Sequence, residues 1–117
     1  MSFIPKVLII AGSDSGGGAG IQADIKTTSY FNGYAMTAIT AITAQNTIGV
    51  QSIYPLPKEI VMEQINSITT DLSPDIVKIG MLADLDIIEY ISKKISNYKI
   101  VLDPVMVATS GDVLVSD

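Results

Sequence analysis

Short apolar runs alternate with amphipathic stretches along the chain, and this alternation limits the fold more than any other feature. Runs such as residues 7–11 and 99–102 are short, rich in Val, Ile and Leu, and typical of buried strands. The stretches between them carry apolar residues at helical spacing. The order β-α-β-β-α-β-α-β predicts an α/β fold with a mostly parallel sheet that helices cover on both faces.

Three stretches predict helices. Residues 19–32 precede Gly33, which we expect at the left-handed position that ends the helix. Residues 57–71 begin with Pro57, and residues 84–97 begin with Asp84 as the expected N-cap. The buried stripes expected on the second and third helices are Val61, Ile65, Ile68 and Leu72, and Leu85, Ile88, Ile91 and Ile95.

The apolar runs predict five strands, at residues 7–11, 34–43, 50–54, 75–79 and 99–102. The second run also fits a helix, but it follows a helix stop and precedes a polar turn, which favours a strand. Parallel sheets bind ligands beyond the carboxyl ends of their strands. We therefore expect functional residues in the loops that follow Ala11, Thr43, Ile79 and Leu102.

Composition excludes several function classes. A chain of 117 residues with 48% hydrophobic and 16% charged residues suits one globular domain or less. With no Cys and no His, it has no thiol catalysis, disulfide, His base or Cys/His zinc site. Its net charge of −5 and unclustered lysines argue against nucleic acid. The first apolar run is too short for a signal or membrane span, so we expect a cytoplasmic protein and no membrane partner.

The strongest local signal is a glycine-rich loop at residues 12–20, which contains five of the nine glycines. It joins a strand to a helix, where free N–H groups and the positive helix end favour a bound ligand over a plain turn. The loop fails the P-loop pattern, because Gly18 stands where Lys is needed, and the dinucleotide pattern, because Ile21 replaces the third Gly. The type of ligand therefore stays open at this point.

Other candidate residues each have a structural alternative. Asp24 lies one turn into the first helix and points either to the site or to solvent. Gln45 offers a donor and an acceptor that suit an aminopyrimidine edge, although such residues are common in turns. Met81 lines a pocket or belongs to the core. Asp103 faces Mg²⁺ or phosphate at a strand end, or caps the turn before Pro104.

Four segments together resemble the hydroxymethylpyrimidine/phosphomethylpyrimidine kinases, the thiamine-pathway branch of the ribokinase-like superfamily. They are AGSDSGGGAGIQADIK at residues 11–26, TAITAQNT at 40–47, VKIGMLA at 77–83 and LDPVMVA at 102–108. Their order and spacing are those of the family. The resemblance implies a three-layer αβα ribokinase-like fold that is truncated, with residues 1–117 as the N-terminal part of a single kinase domain.

The resemblance also implies a reaction. The family uses ATP and Mg²⁺ to phosphorylate 4-amino-5-hydroxymethyl-2-methylpyrimidine and then its monophosphate. Gln45 would bind the aminopyrimidine, and Asp103 matches an acidic position near metal and phosphates. The residues that the resemblance assigns to the substrate are Gly12 and Asp24 at the hydroxymethyl end, Thr43, Met81 and Val107 along the ring, and Gln45. Catalytic groups are expected in a missing C-terminal half, so the chain alone should be inactive.

Three interpretations remain. The chain is part of a pyrimidine kinase that needs its other half, or it is a non-catalytic remnant that keeps only the pyrimidine pocket. An unrelated dinucleotide-binding module is disfavoured by the glycine spacing. Pyridoxal-type kinases share the fold, so pyridoxal stays open as a second substrate. Besides the small-molecule substrate, the expected partners are a second copy of the chain or a complementing C-terminal chain, because a sheet edge is left unpaired.

Overall fold

The computed structural model describes residues 3–80, 82 and 85–102, and the eight elements follow the predicted order. The strands are β1 (Lys6–Asp14), β2 (Tyr34–Gln45), β3 (Val50–Pro55), β4 (Ile76–Ile79) and β5 (Lys99–Leu102). The helices are α1 (Gly20–Tyr30), α2 (Lys58–Asp71) and α3 (Leu85–Lys94). Among these residues, no helix has the length and apolar character needed to cross a membrane.

The strands form one sheet in the order β3-β2-β1-β4-β5, with β1 at its centre. β1 is parallel to both β2 and β4, and β4 is parallel to β5. Only β3 runs antiparallel among the described strands, because a short turn connects it directly to β2. The carboxyl ends of the four parallel strands therefore lie along the same edge of the sheet.

Side chains of β1 alternate between two helical layers. Leu8 and Ile10 are fully buried in a cluster that α2 and α3 complete. Ile9 and Ala11 point to the other face, where they pack against Ile21 of α1. Helices thus cover both faces of the sheet, as predicted, and the fold is the expected three-layer αβα arrangement. Burial of each large side chain of β1 contributes about 1.5–3 kcal/mol.

The end of α1 differs from the prediction by one residue. Asn32, and not Gly33, takes the left-handed conformation, with φ of 62°. The Asn32 N–H donates to the Ser29 carbonyl at 3.0 Å, and the Gly33 N–H donates to the Thr28 carbonyl at 2.8 Å, which is a Schellman motif. Gly33 is needed for space instead, because a Cβ there would lie 2.8 Å from the Thr28 Cγ2.

The buried stripe of α2 is confirmed, whereas that of α3 is partly wrong. Val61 and Ile65 are fully buried, and Ile68 and Leu72 pack against the same cluster. On α3 the buried residues are Ile87 and Ile91, followed by Ile95 just beyond the helix, while the predicted Leu85 and Ile88 are 64% and 40% exposed. Ile87 and Ile88 are adjacent, and the sequence spacing allows either of them on the buried face. Packing against α2 and the sheet buries Ile87. The predicted N-cap, Asp84, lies outside the described residues.

Both central strands run further than the apolar pattern predicts. β1 continues past Ala11 to Asp14 through a change of register between Ala11 and Ser13, and β2 continues to Gln45. Polar residues extend these strands because their backbone groups keep pairing with the neighbouring strand. The extension carries Asp14 and Thr43 into buried positions at the carboxyl edge of the sheet.

Candidate functional site

The carboxyl ends of β1 and β2 are joined by side-chain hydrogen bonds. The Ser15 Oγ donates to the Gln45 carbonyl at 2.7 Å and accepts the Gln45 N–H at 2.7 Å. The Thr43 Oγ1 donates to the Ser13 carbonyl at 2.8 Å. These three bonds fix the start of the glycine-rich loop against the end of β2, so two segments that are 30 residues apart form one surface.

Asp14 organises the glycine-rich loop. Its carboxylate accepts the Gly16 N–H at 2.7 Å, the Gly18 N–H at 2.9 Å and the Ala19 N–H at 2.8 Å. The Asp14 carbonyl also accepts the Gly17 N–H at 3.0 Å. The expectation that these amides are free for a ligand is therefore wrong, because an aspartate two to five residues upstream already binds them.

The N-terminus of α1 packs tightly against β1. Gly20 has φ of 56°, and a Cβ there would lie only 2.3 Å from the Gly12 carbonyl oxygen, so this position requires glycine. The Gln22 amide reaches back to β1, where its Oε1 accepts the Asp14 N–H at 2.7 Å and its Nε2 donates to the Ser13 Oγ at 2.8 Å. Gly12 itself is buried.

Two lysines also bind groups of this region. The Lys26 ammonium donates to the Gly17 carbonyl at 2.8 Å, so Lys26 supports the loop and is more than surface charge. Lys78 of β4 forms an ion pair with Asp24 of α1, and the two side chains are 26% and 15% exposed. Asp24 is therefore not a solvated helix residue, because it links α1 to β4 on the α1 face of the sheet.

Gln45 keeps hydrogen-bonding capacity at the sheet edge. Its Oε1 lies 3.1 Å from the Thr43 hydroxyl, which uses at most one of the two lone pairs of that oxygen. Its Nε2 carries two N–H groups, and neither of them bonds to a residue that the structure describes. The amide of Gln45, held at its backbone by Ser15, can therefore offer one acceptor and one donor side by side to a ligand.

The predicted site residues fall into three groups. Gly12, Thr43 and Gln45 come together at the ends of β1 and β2, and Asp24 lies in the adjoining first turns of α1. Met81, Asp103 and Val107 lie outside the described residues, so their predicted roles stay predictions. Within residues 3–80, 82 and 85–102, no three Asp or Glu side chains gather in a way that could hold a metal ion.

Sequence reasoning missed the residues that build the loop. Asp14 precedes a run of glycines, which is the pattern of an aspartate that accepts hydrogen bonds from the next backbone N–H groups. This pattern can be recognised in the sequence, where Asp14 is followed by Ser15 and Gly16. The roles of Gln22 and Lys26 left no such signal, because each depends on where α1 packs against β1.

Comparison with known proteins identifies relatives of this chain. A family model described as phosphomethylpyrimidine kinase matches residues 14–117. The chain is 52% identical over 117 residues to a hydroxymethylpyrimidine/phosphomethylpyrimidine kinase of Bacillus subtilis, covering 97% of this chain and 43% of that enzyme. It is 50% identical over 114 residues to the Escherichia coli enzyme of the same description, again covering 43% of it. The chain thus spans less than half the length of these relatives.

Solved structures give the same result for the fold. A phosphomethylpyrimidine kinase from Clostridium difficile 630 superposes with a TM-score of 0.84 at 47% identity, covering 97% of this chain and 50% of that one. A Staphylococcus aureus pyridoxal kinase in complex with pyridoxal superposes with a TM-score of 0.82 at 36% identity, covering 91% of this chain and 40% of that one. The three-layer fold is therefore that of ribokinase-like kinases, of which this chain corresponds to a part.

Proposed function

The chain belongs to the phosphomethylpyrimidine kinase family, and we propose that it carries the part of the family's site that binds the pyrimidine. The substrates are 4-amino-5-hydroxymethyl-2-methylpyrimidine and its monophosphate, and the reaction is phosphoryl transfer from ATP in thiamine biosynthesis. Residues 1–117 are the N-terminal part of one ribokinase-like kinase domain. Because the chain spans 43% of the Bacillus subtilis relative, we assign catalysis to this part together with the remainder of such a domain.

The geometry of Gln45 is the observation that carries this proposal. An aminopyrimidine presents an amino donor next to a ring-nitrogen acceptor, and a primary amide is complementary to that pair. The Ser15 hydroxyl holds the backbone of Gln45 in two hydrogen bonds, and the Thr43 hydroxyl contacts its Oε1. A backbone that is already fixed lowers the conformational freedom that Gln45 loses on binding, which favours affinity.

The other substrate contacts follow from the family resemblance. We propose that Gly12 and Asp24 lie at the hydroxymethyl end of the ring and that Thr43 packs along it. Met81 and Val107 complete the apolar wall. Lys78 supports this arrangement, because its ion pair with Asp24 keeps that carboxylate at the β4 side of α1.

The described part of the chain shows no complete site for ATP and Mg²⁺. The amides of the glycine-rich loop bind Asp14, and no cluster of carboxylates for a metal ion occurs among the residues that the structure describes. We assign Asp103 to the metal and phosphate side, and most of the nucleotide site to the remainder of the domain. The cytoplasmic location expected from the sequence stays a prediction.

Calorimetric titration of the 117-residue chain with hydroxymethylpyrimidine tests the proposal. We expect binding by the native chain and a loss of at least about tenfold in affinity for Gln45→Ala, because two hydrogen bonds to the ring are removed. Gln51→Ala is the matched control, since Gln51 is exposed on β3 and bonds only to the nearby turn among the described residues. Absence of binding by the folded native chain contradicts the proposal.

Pyridoxal is the second candidate substrate, because the fold superposes on a pyridoxal kinase with a TM-score of 0.82. The same titration with pyridoxal separates the two, and we expect the aminopyrimidine to bind more tightly because its amino group can donate to Gln45. An assay for ATP-dependent phosphorylation runs beside it. Turnover by the 117-residue chain alone contradicts the assignment of catalysis to a larger domain.

A further inference from the structure

The carboxylate of Asp14 lies among the backbone N–H groups of the glycine-rich loop that directly precedes α1. Such loops bind anions because several backbone N–H groups converge near the positive end of the helix. Here three of those groups, on Gly16, Gly18 and Ala19, converge on the two Asp14 oxygens at 2.7–2.9 Å. Asp14 is only 6% exposed, so this carboxylate is buried within the loop.

Little room remains in this cradle for a second anion. A Cβ added at Gly16 would lie 3.2 Å from the Asp14 Oδ1 and 3.1 Å from the Gln45 carbonyl oxygen. The loop backbone therefore wraps closely around the carboxylate and against the end of β2.

Asp14 is also held in place by its backbone. Its N–H donates to the Gln22 Oε1, and its carbonyl accepts the Gly17 N–H. Gln22 is in turn bonded to the Ser13 Oγ. The backbone is fixed by these contacts and the side chain by three N–H groups, so the carboxylate would lose all three N–H bonds if it left the cradle.

We propose that Asp14 is a specificity-determining residue, an internal anion that fills the amide cradle of residues 16–19 and keeps phosphate out of it. The proposal rests on the proposed function for the identity of the substrate. The amide cradle of residues 16–19 then binds no phosphate, and the phosphates of the nucleotide and of the substrate monophosphate bind outside it.

The local charges agree with this role. The full negative charge of Asp14 exceeds the roughly half positive charge of a helix N-terminus. Asp24 of α1 is paired with Lys78, so its carboxylate adds no net charge near the loop. Lys26 places a cation at the Gly17 carbonyl. Phosphate binding by this ammonium group has to be distinguished from binding by the amides of residues 16–19 in any test.

Amide NMR of the full ¹⁵N-labelled chain during a titration with inorganic phosphate tests the proposal without any pyrimidine. In the native chain we expect no saturable change at the amides of Gly16, Gly18 and Ala19. In Asp14→Ala the same three amides should respond with saturation, and phosphate should bind at least about tenfold more tightly than to the native chain. A Lys26→Met background removes the binding that the ammonium group alone produces.

Asp75→Ala is the matched control. The Asp75 carboxylate accepts the Lys6 N–H at 2.8 Å at the amino end of β1, so its removal deletes the same charge away from the loop. We expect no phosphate binding to result. If Asp14→Ala does not fold, Asp14→Asn keeps the shape of the side chain. The three amide proton signals should then move upfield, because the Nδ2 group cannot accept an N–H bond and the bonds to the remaining oxygen are neutral.

Any one of three results overturns the proposal. The first is a saturable phosphate response of the three amides in the native chain, and the second is a folded Asp14→Ala that shows no response. The third is unmoved amide signals in Asp14→Asn. Because the chain's own amides report the result, failure here leaves the calorimetric test of pyrimidine binding unaffected, and failure of that test leaves this one intact.

Discussion

The carboxyl ends of β1 and β2 and the edge strand β5 belong to the same sheet, yet they are organised in opposite ways. At the first, Asp14 and Thr43 are each 6% exposed, and both bind neighbouring backbone groups. At the second, all four residues of β5 are exposed, with Leu102 at 68%. The contrast follows from position, because β1 has strands on both sides and helices on both faces, whereas the described part of the chain pairs β5 only with β4.

This difference indicates which part of the candidate site has a geometry that is set by contacts among the described residues. The glycine-rich loop, Thr43 and Gln45 are held by contacts among residues 12–45, so their geometry depends little on β5. On the other side, Lys78 connects β4 back to α1. We therefore expect substitutions of buried or paired residues near β1 to affect the protein much more than substitutions of exposed residues on β5 and at other exposed positions.

The largest difference is expected between two isoleucines. Ile10→Ala removes a fully buried side chain at the centre of the sheet and should lower the free energy of unfolding by about 3 kcal/mol, since a cavity is left in the core. Ile100→Ala on β5, where the side chain is 39% exposed, should cost less than about 1 kcal/mol. Urea denaturation measures both values, and equal losses would mean that β5 is as well packed as β1.

A pair of glycines should give the next largest difference. Gly20→Ala should lower the free energy of unfolding by about 2–3 kcal/mol, because φ is 56° and the Cβ would meet the Gly12 carbonyl oxygen at 2.3 Å. Gly80→Ala, just after β4, brings its Cβ to 3.0 Å from the Ala11 Cβ and should cost about 1 kcal/mol. Thermal unfolding of the two variants ranks them, and a milder effect at Gly20 contradicts the rigid packing of α1 against β1.

Two ion pairs give the smallest expected difference. Lys78→Met leaves Asp24 partly buried without its partner and should lower the free energy of unfolding by about 1–2 kcal/mol. Lys58→Met breaks the pair with Asp86, whose side chains are 43% and 58% exposed, and should cost less than about 0.5 kcal/mol. Denaturation at low and high salt measures both losses, and the loss for Lys58→Met should depend more on salt than the loss for Lys78→Met. If the loss of unfolding free energy in Lys78→Met depended strongly on salt, water would have free access to the ion pair of Lys78 and Asp24.

The sequence predicts most of the fold because hydrophobic spacing reports which face of an element is buried. The order of elements and the stripe of α2 are confirmed for this reason. The stripe of α3 could not be chosen between Ile87 and Ile88, since adjacent residues differ by only 100° around a helix. The ends of β1 and α1 were misplaced because backbone pairing and the conformation of Asn32 are set by tertiary contacts.

The candidate site is less accessible to sequence reasoning than the fold. The loop after β1 was correctly expected at the carboxyl edge of the sheet, but its amides were expected to be free. Only geometry reveals that the Asp14 side chain folds back onto residues that follow it. The roles of Met81, Asp103 and Val107 stay predictions, since the structure does not describe these residues.

The central position of β1 has a consequence for the order of folding. The Lys6 N–H bonds to the Asp75 Oδ2, which is 69 positions later in the chain, and β4 follows directly. During synthesis β1 can pair with β2 long before β4 leaves the ribosome. Contacts over such long separations slow folding, and we expect one open edge of β1 to make the nascent chain depend on chaperones until β4 closes it.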